Sequence, residues 1–316
     1  MGLLQRNKIV IVGAGNVGEA IGYTLMCRRQ ASEVVFVDLN EKRAEGSALD
    51  IAHGTAFFHQ VKIRRGDYSE CKDAQMIIIT AGIARKEGQT RLDLAKTNVN
   101  IIRSITKSIM EYATNPMIVV VSNPVDIMTY VVQKESGLPA NRVIGTGTTL
   151  DTARFRYFLS EKAQVDVRDV NALILGEHGD SQVPIWSRAT IGGISVDSYF
   201  EQIGVKLDKK EIYERAKDSG AEVIRLKGAT FYGIAMSVSR VVEAIMDDEN
   251  TMLPVAHVLD DEFGEWSDVA ISMPCKVNAN GIADAMHISL SVREQEAMDY
   301  SVKKLKDFLA QVLSEQ

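Results

Sequence analysis

KIVIVGAGNVG, from Lys8 to Gly18, is an apolar run followed by three glycines with GxGxxG spacing. The run predicts a buried β-strand, and the residues from Val17 to Arg28 predict the helix after it. GxGxxG alone is a weak signal, but a strand before it and a helix after it are the context that a dinucleotide site requires. There, Gly13 allows a tight turn, Gly15 lets the backbone approach a pyrophosphate, and Gly18 lets the helix pack on the strand.

An acidic residue closes the next predicted strand. EVVFV, from Glu33 to Val37, is the strand, and Asp38 follows it, twenty residues after Gly18. A carboxylate there binds the ribose hydroxyls of an adenosine and repels the 2′-phosphate of NADP. Leu39 supplies no cation for such a phosphate, so the sequence predicts NAD. The alternative is a glycine-rich turn with a solvated aspartate.

The first half of the chain continues to alternate between apolar runs and helical patterns. Because near-continuous Val/Ile strands separated by helices are typical of a parallel sheet covered on both faces, we predict an α/β, doubly wound sheet. The further predicted strands are Met76 to Thr80 and Met117 to Ser122, and the further helices are Lys42 to His53 and Leu92 to Ala113.

From about residue 150 the pattern changes, and we predict two domains, 1–146 and 147–316. Short runs predict a mixed or antiparallel sheet in the second: Asn171 to Leu175, Val269 to Met273 and Ala285 to Leu290. Helices are predicted from Asp218 to Lys227, from Gly233 to Asp248 and from Val292 to Leu313. In the last helix, near-3.6 spacing predicts a docking face formed by Met298, Leu305, Phe308, Leu309 and Val312.

Composition excludes several functional classes. The net charge is −6 and no long basic run occurs, so we expect no nucleic-acid partner. No apolar stretch reaches the roughly 20 residues of a membrane span, and the first residues lack a secretory apolar core. Three cysteines without a CxxC motif favour a reducing cytoplasm. No cluster of histidine, cysteine and acidic residues predicts a metal site.

Four segments carry polar residues where a ligand could meet them. Asn123 follows a predicted strand, where its amide could bond a substrate or the cofactor, although Asn-Pro is also a common turn. Asp151 and Arg154 share a helix face at i and i+3, which is also the pattern of a solvated ion pair. His178 lies in a glycine-flanked loop and could be a loop histidine without a role. Thr230 could line a pocket or cap a helix.

Taken together, these residues fit one reaction, hydride transfer between a nicotinamide and a carbonyl. Histidine has the unperturbed pKa that suits a proton donor near pH 7, a role for His178. Asp151 would orient the imidazole, and Arg154 would grip a substrate carboxylate through two N–H groups. Arg91 would polarise the carbonyl as negative charge develops on its oxygen.

At this point the sequence resembles the L-lactate/L-malate dehydrogenase family. The matching segments are IVGAGNVG, VDLN, ITAGIARKEGQTRLDL, VSNPVDI, LDTARFR, GEHGDSQVPIW and KGATFYGIAMSV, which together span residues 8 to about 238. The resemblance implies a Rossmann doubly wound parallel sheet plus an α+β catalytic domain. It also implies a homo-oligomer, as a tetramer or a dimer, that acts on a small 2-keto or 2-hydroxy acid.

The resemblance also implies residue roles. His178 and Asp151 match the proton-relay pair, Arg91 the carbonyl-polarising loop arginine, and Arg154 the carboxylate-binding arginine. Asn123 matches the active-site asparagine. Substrate contact is further implied for Thr230 and Arg85, and cofactor contact for Gly13, Gly15, Val17, Gly18, Asp38, Ala81, Gly82 and Asn123.

Arg85 bears on the choice of substrate. Its position faces the far end of the substrate in this family, where lactate-specific members usually have a neutral residue and malate-specific members have arginine. An Arg85 buried opposite the methyl group of pyruvate would be an unpaired charge that costs several kcal/mol, whereas oxaloacetate brings a carboxylate to it. We therefore predict a preference for oxaloacetate. Lys86 is expected in solvent in either case, and the alternative is that Arg85 also stays in solvent and pyruvate is reduced.

Other positions resemble the lactate-specific members. Glu177 and Thr230 look lactate-type, so the chain is best described as a lactate-type scaffold with one malate-type residue. Members activated by fructose 1,6-bisphosphate usually have an arginine and a histidine at the activator site. Arg156 matches the arginine, but Asn171 occupies the histidine position, so we expect weak or no activation.

Overall fold

The fold is taken from a computed structural model that describes residues 7–83 and 90–314, with the backbone alone for Arg91. Arg85, Lys86 and the side chain of Arg91 therefore lie outside the described residues. Their predicted roles stay predictions.

The first half alternates strands and helices much as predicted. The strands are β1 (Lys8–Val12), β2 (Glu33–Val37), β3 (Lys62–Arg65), β4 (Met76–Ile79), β5 (Ile118–Val120) and β6 (Val143–Gly145). The helices are α1 (Asn16–Cys27), α2 (Glu41–His53), α3 (Arg91–Met110) and α4 (Val125–Ser136). Sequence analysis missed β3 and β6, because β3 is rich in charge and β6 is three residues long.

These six strands form a parallel sheet in the order β3-β2-β1-β4-β5-β6. Every residue of β1 and of β4 is buried, as expected for strands covered on both faces. The predicted doubly wound α/β sheet is confirmed. The chain reverses its direction across the sheet beside β1, so the turn after β1 lies at a switch point, where open α/β sheets bind ligands.

The second half contains the longer helices and shorter strands. The helices are α5 (Thr149–Ala163), α6 (Val196–Gln202), α7 (Lys209–Lys227), α8 (Tyr232–Met246) and α9 (Val292–Leu313). The strands are β7 (Val170–Asn171), β8 (Ile174–Leu175), β9 (Val183–Pro184), β10 (Thr190–Ile191), β11 (Ile194–Ser195), β12 (Thr251–Val258), β13 (Ala270–Asn278) and β14 (Gly281–Ala285). Within the described ranges, no helix has the length and apolarity to cross a membrane.

The long antiparallel strands of the second half extend the parallel sheet. Ala256 of β12 pairs with Gly145 of β6, and β13 and β14 continue outward in antiparallel order. The two halves of the chain are thus joined by one mixed sheet, with nine strands in its described part.

Two strand predictions in this half were wrong. Asn171 to Leu175 is not one strand, because β7 pairs with β10 while β8 pairs with β9 in a different sheet. Ala285 to Leu290 is not a strand, because the pairing with β13 ends at Ala285. The strand begins earlier, at Gly281, whose φ of 92° suits the tight turn after β13 and favours glycine.

The C-terminal helix docks through the predicted face. Met298, Leu305, Leu309 and Val312 are buried in the main core, and Phe308 packs on it half-buried. A capping box at Ser291 begins the helix. This docking places the middle of α9 against the loop that follows β8 and carries His178, where the hydroxyl of Ser301 accepts the backbone N–H of Glu177 at 2.8 Å.

Candidate active site

The turn between β1 and α1 is built around its glycines. Gly13 has a φ of 111°, and the hydroxyl of Thr80 donates to its carbonyl at 2.9 Å. A Cβ on Gly18 would lie 1.9 Å from that carbonyl oxygen, so only glycine lets the helix approach this closely. A Cβ on Gly15 would meet no atom within 4 Å, which leaves the backbone there open to a ligand.

Asp38 does more than the sequence indicated. Its Oδ2 accepts the N–H of Ala14 at 2.7 Å, and its Oδ1 accepts the N–H of Asn40 at 2.8 Å. The alternative of a merely solvated aspartate is therefore wrong, because the carboxylate braces the glycine turn from the end of β2. Each oxygen has a second lone pair with which to accept a hydroxyl.

A cavity of about 860 Å³ opens along this edge of the sheet. Among the predicted cofactor residues, Gly13, Gly15, Asp38, Ala81 and Gly82 line it. Val17, Gly18 and Asn123 are not in its lining. The cavity size, the open backbone at Gly15 and the acid at the end of β2 fit an adenine dinucleotide.

Sequence analysis missed a buried amide that ties two strand ends together. Asn98, on α3, accepts the N–H of Ile83 at 3.0 Å and donates to its carbonyl at 3.3 Å. It also donates to the carbonyl of Asn123 at 2.8 Å. The amide therefore positions the chain after β4 and the backbone of Asn123, whose own side chain is exposed.

The proposed proton-relay residues lie in contact. Asp151, in the first turn of α5, is buried, and its Oδ2 is 2.6 Å from Nδ1 of His178. Its other oxygen accepts a hydrogen bond from Arg154 at 3.2 Å. The side chains of Asp151 and Arg154 are only 5% and 15% exposed, so the alternative of a solvated ion pair is wrong.

The charges in this group support one another. Burial alone would lower the pKa of His178, but the charge and hydrogen bond of Asp151 raise it to about 9. Burial alone would raise the pKa of Asp151, yet His178 and Arg154 hold it below its usual value. The free site therefore has a protonated imidazole against an ionised carboxylate at neutral pH.

Arg154 and Thr230 line a second cavity, of about 470 Å³, between α5 and the start of α8. Thr230 lies between the left-handed glycine that ends α7 and the start of α8. The N-cap position of α8 is occupied by Phe231, so the alternative that Thr230 caps this helix is wrong. His178 does not line this cavity.

Two more buried carboxylates flank His178. Glu177 accepts a hydrogen bond from Ser181 and forms an ion pair with Lys304 of α9 at 3.0 Å. Asp126, on α4, accepts the backbone N–H of His178 at 2.8 Å. Asp126 belongs to the NPVD motif but carries no local signal of its contact, and Lys304 carries none because its partner lies 127 residues away.

The structure places both residues of the activator site that the resemblance implies. Arg156 is half-buried and its Nε donates to the carbonyl of Ala172 at 2.8 Å, next to exposed Asn171. Weak activation by a sugar bisphosphate stays a prediction.

The structure also brings together an acidic group that was not expected from the sequence, formed by Glu243, Asp247 and Glu249. Arginines already pair with its two glutamates.

Comparison with known proteins agrees with this site. The family model described as "lactate/malate dehydrogenase, NAD binding domain" matches residues 7–145, and the one described as "lactate/malate dehydrogenase, alpha/beta C-terminal domain" matches residues 148–316. The chain belongs to the lactate/malate dehydrogenase family. The predicted boundary between residues 146 and 147 falls between the two matches and stays a prediction.

Similar proteins include several L-lactate dehydrogenases. The chain is 45% identical over 305 residues to the L-lactate dehydrogenase of Acetivibrio thermocellus, with 96% of each chain covered. It is 44% identical to L-lactate dehydrogenase 1 of Clostridium acetobutylicum, with 96% of this chain and 98% of the relative covered. A solved minor L-lactate dehydrogenase from Enterococcus mundtii superposes with a TM-score of 0.93 at 44% identity, over 98% of this chain and 99% of that one.

The protein is thus an NAD-dependent oxidoreductase of the lactate dehydrogenase type. The glycine turn and Asp38 are the residues that would hold NAD in the larger cavity.

The role of His178 can be tested by replacing it with asparagine. His178→Asn removes the proton donor, so we expect kcat for NADH-dependent keto-acid reduction to fall roughly 10²- to 10⁴-fold. NADH affinity, measured by fluorescence titration, should change little. His53→Asn, at an exposed position at the end of α2, is the matched control and should retain full activity. Near-normal turnover by His178→Asn would exclude the assigned role.

Proposed function

We propose that the protein interconverts a short 2-keto acid and the corresponding L-2-hydroxy acid. The observation that carries this proposal is the buried contact of Asp151 with both His178 and Arg154. It puts a proton donor and a carboxylate-binding group on the two oxygens of one side chain, so that one 2-keto acid could contact both groups.

The proton comes from His178. Its Nδ1 faces Asp151, so Nε2 is the nitrogen that gives a proton to the carbonyl oxygen as the keto acid is reduced. NADH, when bound, supplies the hydride. The imidazole that remains is neutral and keeps its Nδ1–H hydrogen bond to Asp151. In the reverse direction, the same neutral imidazole accepts the proton of the hydroxyl group.

Arginines bind and polarise the substrate in this proposal. Arg154 holds the carboxylate next to the carbonyl, because a guanidinium offers two parallel N–H groups to two oxygens. Its own bond to Asp151 leaves the remaining N–H groups for the substrate. Arg91, at the first residue of α3, would polarise the carbonyl, a role that rests on its motif.

Two observations bear on which keto acid is used. The L-lactate dehydrogenases named above support pyruvate and lactate. Arg85 supports oxaloacetate and malate, because a second carboxylate would neutralise its charge once water is excluded. We propose that Arg85 shifts the preference of a lactate-type enzyme towards oxaloacetate, and pyruvate is the second candidate.

Arg85→Gln tests this proposal. Loss of one member of a buried charge pair costs about 2–5 kcal/mol. The ratio of kcat/KM for oxaloacetate to kcat/KM for pyruvate should therefore fall roughly thirty- to several-thousand-fold. NADH oxidation at 340 nm measures both substrates. Lys86→Gln removes a neighbouring charge that we expect in solvent, and should leave the ratio unchanged.

A wild-type enzyme that strongly prefers pyruvate, with the same ratio in Arg85→Gln, would remove oxaloacetate from the proposal. It would leave reduction of pyruvate intact. Failure to reduce either acid would overturn the proposed function.

We also propose that the protein is a homo-oligomer, most simply a tetramer, in the cytoplasm. Large apolar side chains are exposed on the described surface of one chain: Phe57 is 88% exposed, Tyr232 69% and Leu226 68%. Association of copies of the chain would bury such residues. Sedimentation velocity should give a mass of four chains, or of two for a dimer. A monomer at micromolar concentration would contradict this.

A further inference from the structure

The edge at which the parallel strands begin carries a cavity that the proposed reaction does not use. Its volume is about 400 Å³, and it lies at the opposite edge of the sheet from the glycine turn. Residues that directly precede β1, β4, β5 and β6 line it: Asn7, Gln75, Met117 and Arg142. Met246 at the end of α8 and Ala279 in the turn between β13 and β14 also line it. The cavity therefore borders both halves of the chain.

Arg142 brings to this cavity a positive charge that no carboxylate neutralises in the described part of the chain. Its side chain is half-buried, and its Nη2 group donates to the carbonyl of Asn115 at 2.7 Å. Its Nε is buried and has no hydrogen-bond partner among the described residues. Burial lowers the pKa of Arg142, and no acidic group acts in the opposite direction. A guanidinium stays charged nevertheless, so its charge and its remaining Nη N–H groups are available to an anion.

A second cation and several neutral donors line the same cavity. Lys72, exposed in the short helix that precedes β4, has no ion-pair partner within residues 7–83 and 90–314. Gln75 accepts the N–H of Lys8 through its Oε1 at 2.6 Å, which leaves its amide NH2 as a donor. Thr114 and Asn115 add a hydroxyl and an amide. Arginine and lysine together with such donors are the groups with which proteins bind phosphate.

Acidic residues are absent from the described lining of this cavity, although the chain carries a net charge of −6. The acids nearest to lining residues in the sequence are Asp73 and Asp248, and each has a donor of its own. Asp73 forms an ion pair with Lys8. Asp248 accepts the N–H of Ala279 at 3.0 Å. The cavity is thus a place of local positive charge on an acidic protein, which favours an anionic ligand.

We propose that this cavity binds a phosphate group, either as the free ion or as the terminal group of a small organic ligand. Arg142 and Lys72 would supply the charge, and the neutral donors would bind the remaining oxygens. The volume falls within the roughly 300–1,000 Å³ of small-molecule sites, which leaves room for an organic group beside the phosphate. The site is distinct from the activator site implied at Arg156 and Asn171, since neither residue lines this cavity.

The position of the cavity predicts what binding would do. Its lining comes from the strands of the first half and from α8 and the β13–β14 turn of the second half. A ligand held there would contact both halves, and it would bind the folded chain but not the unfolded one. Binding should therefore raise the midpoint of thermal unfolding as the concentration of ligand rises.

Titration with inorganic phosphate tests this proposal. Calorimetry and thermal unfolding are measured on the whole chain at saturating NADH, so that the phosphates of the cofactor occupy the glycine turn. Sodium chloride keeps the ionic strength constant, which separates binding from general screening. We expect saturable binding and a rise in the unfolding midpoint. Methyl phosphate is the second probe: tighter binding than that of phosphate would assign an organic phosphate, and equal or weaker binding would assign the free ion.

Arg142→Gln should weaken the binding of phosphate roughly 10- to 100-fold, the loss typical of a hydrogen bond to a charged group. Lys72→Gln changes an exposed side chain, should weaken binding severalfold, and serves if Arg142→Gln does not fold. Arg156→Gln is the matched control. Arg156 is also half-buried and also donates to a backbone carbonyl, but it lies outside the cavity, so its replacement should leave phosphate binding unchanged.

Binding of phosphate with equal strength to the wild type and to the folded Arg142→Gln and Lys72→Gln variants would overturn the proposal. The absence of saturable binding to the wild type, or a loss confined to Arg156→Gln, would overturn it as well. These measurements use no keto acid, so their outcome does not depend on the proposed function.

Discussion

One buried carboxylate, that of Asp151, is the interaction on which the candidate active site depends. A carboxylate taken out of water is costly unless cations and hydrogen bonds compensate it. Here one oxygen faces His178 and the other faces Arg154, so the compensation is made by the two groups that the proposed chemistry needs. The folding requirement and the catalytic requirement are therefore met by the same contacts, and loss of either partner would remove the compensating charge from one oxygen of the buried carboxylate.

The mixed sheet places that carboxylate at the same edge as the cofactor cavity. The parallel strands end at one edge, where the glycine turn and Asp38 lie, and α5 begins directly after β6 at the same edge. Antiparallel pairing of β12 with β6 then joins the second half to this frame. Asp126 reinforces the junction by accepting the backbone N–H of His178, and Asn98 holds the backbone of Asn123 within the first half.

The parts of this arrangement that were predictable have local signals in the sequence. The glycine spacing, the all-apolar strands and the 3.6-residue pattern of α9 each depend on a few neighbouring residues. Asn171 to Leu175 failed as one strand because an apolar run does not reveal that its two ends pair with different partners. Asp126 and Lys304 could not be recognised, because each contacts a residue more than 50 positions away. The substrate preference assigned to Arg85 depends on the environment of a side chain outside the described residues.

The most direct test of the account is the pKa of the His178 imidazole in the ligand-free protein, measured by NMR in the wild type and in Asp151→Asn. The account predicts a value near 9 in the wild type, because the ionised partner outweighs the effect of burial. In Asp151→Asn, burial remains and most of the compensating charge is lost, so the pKa should fall to 6.5 or below. A value near 6.5 in both proteins would show that Asp151 does not hold the proton on His178, and would contradict the account.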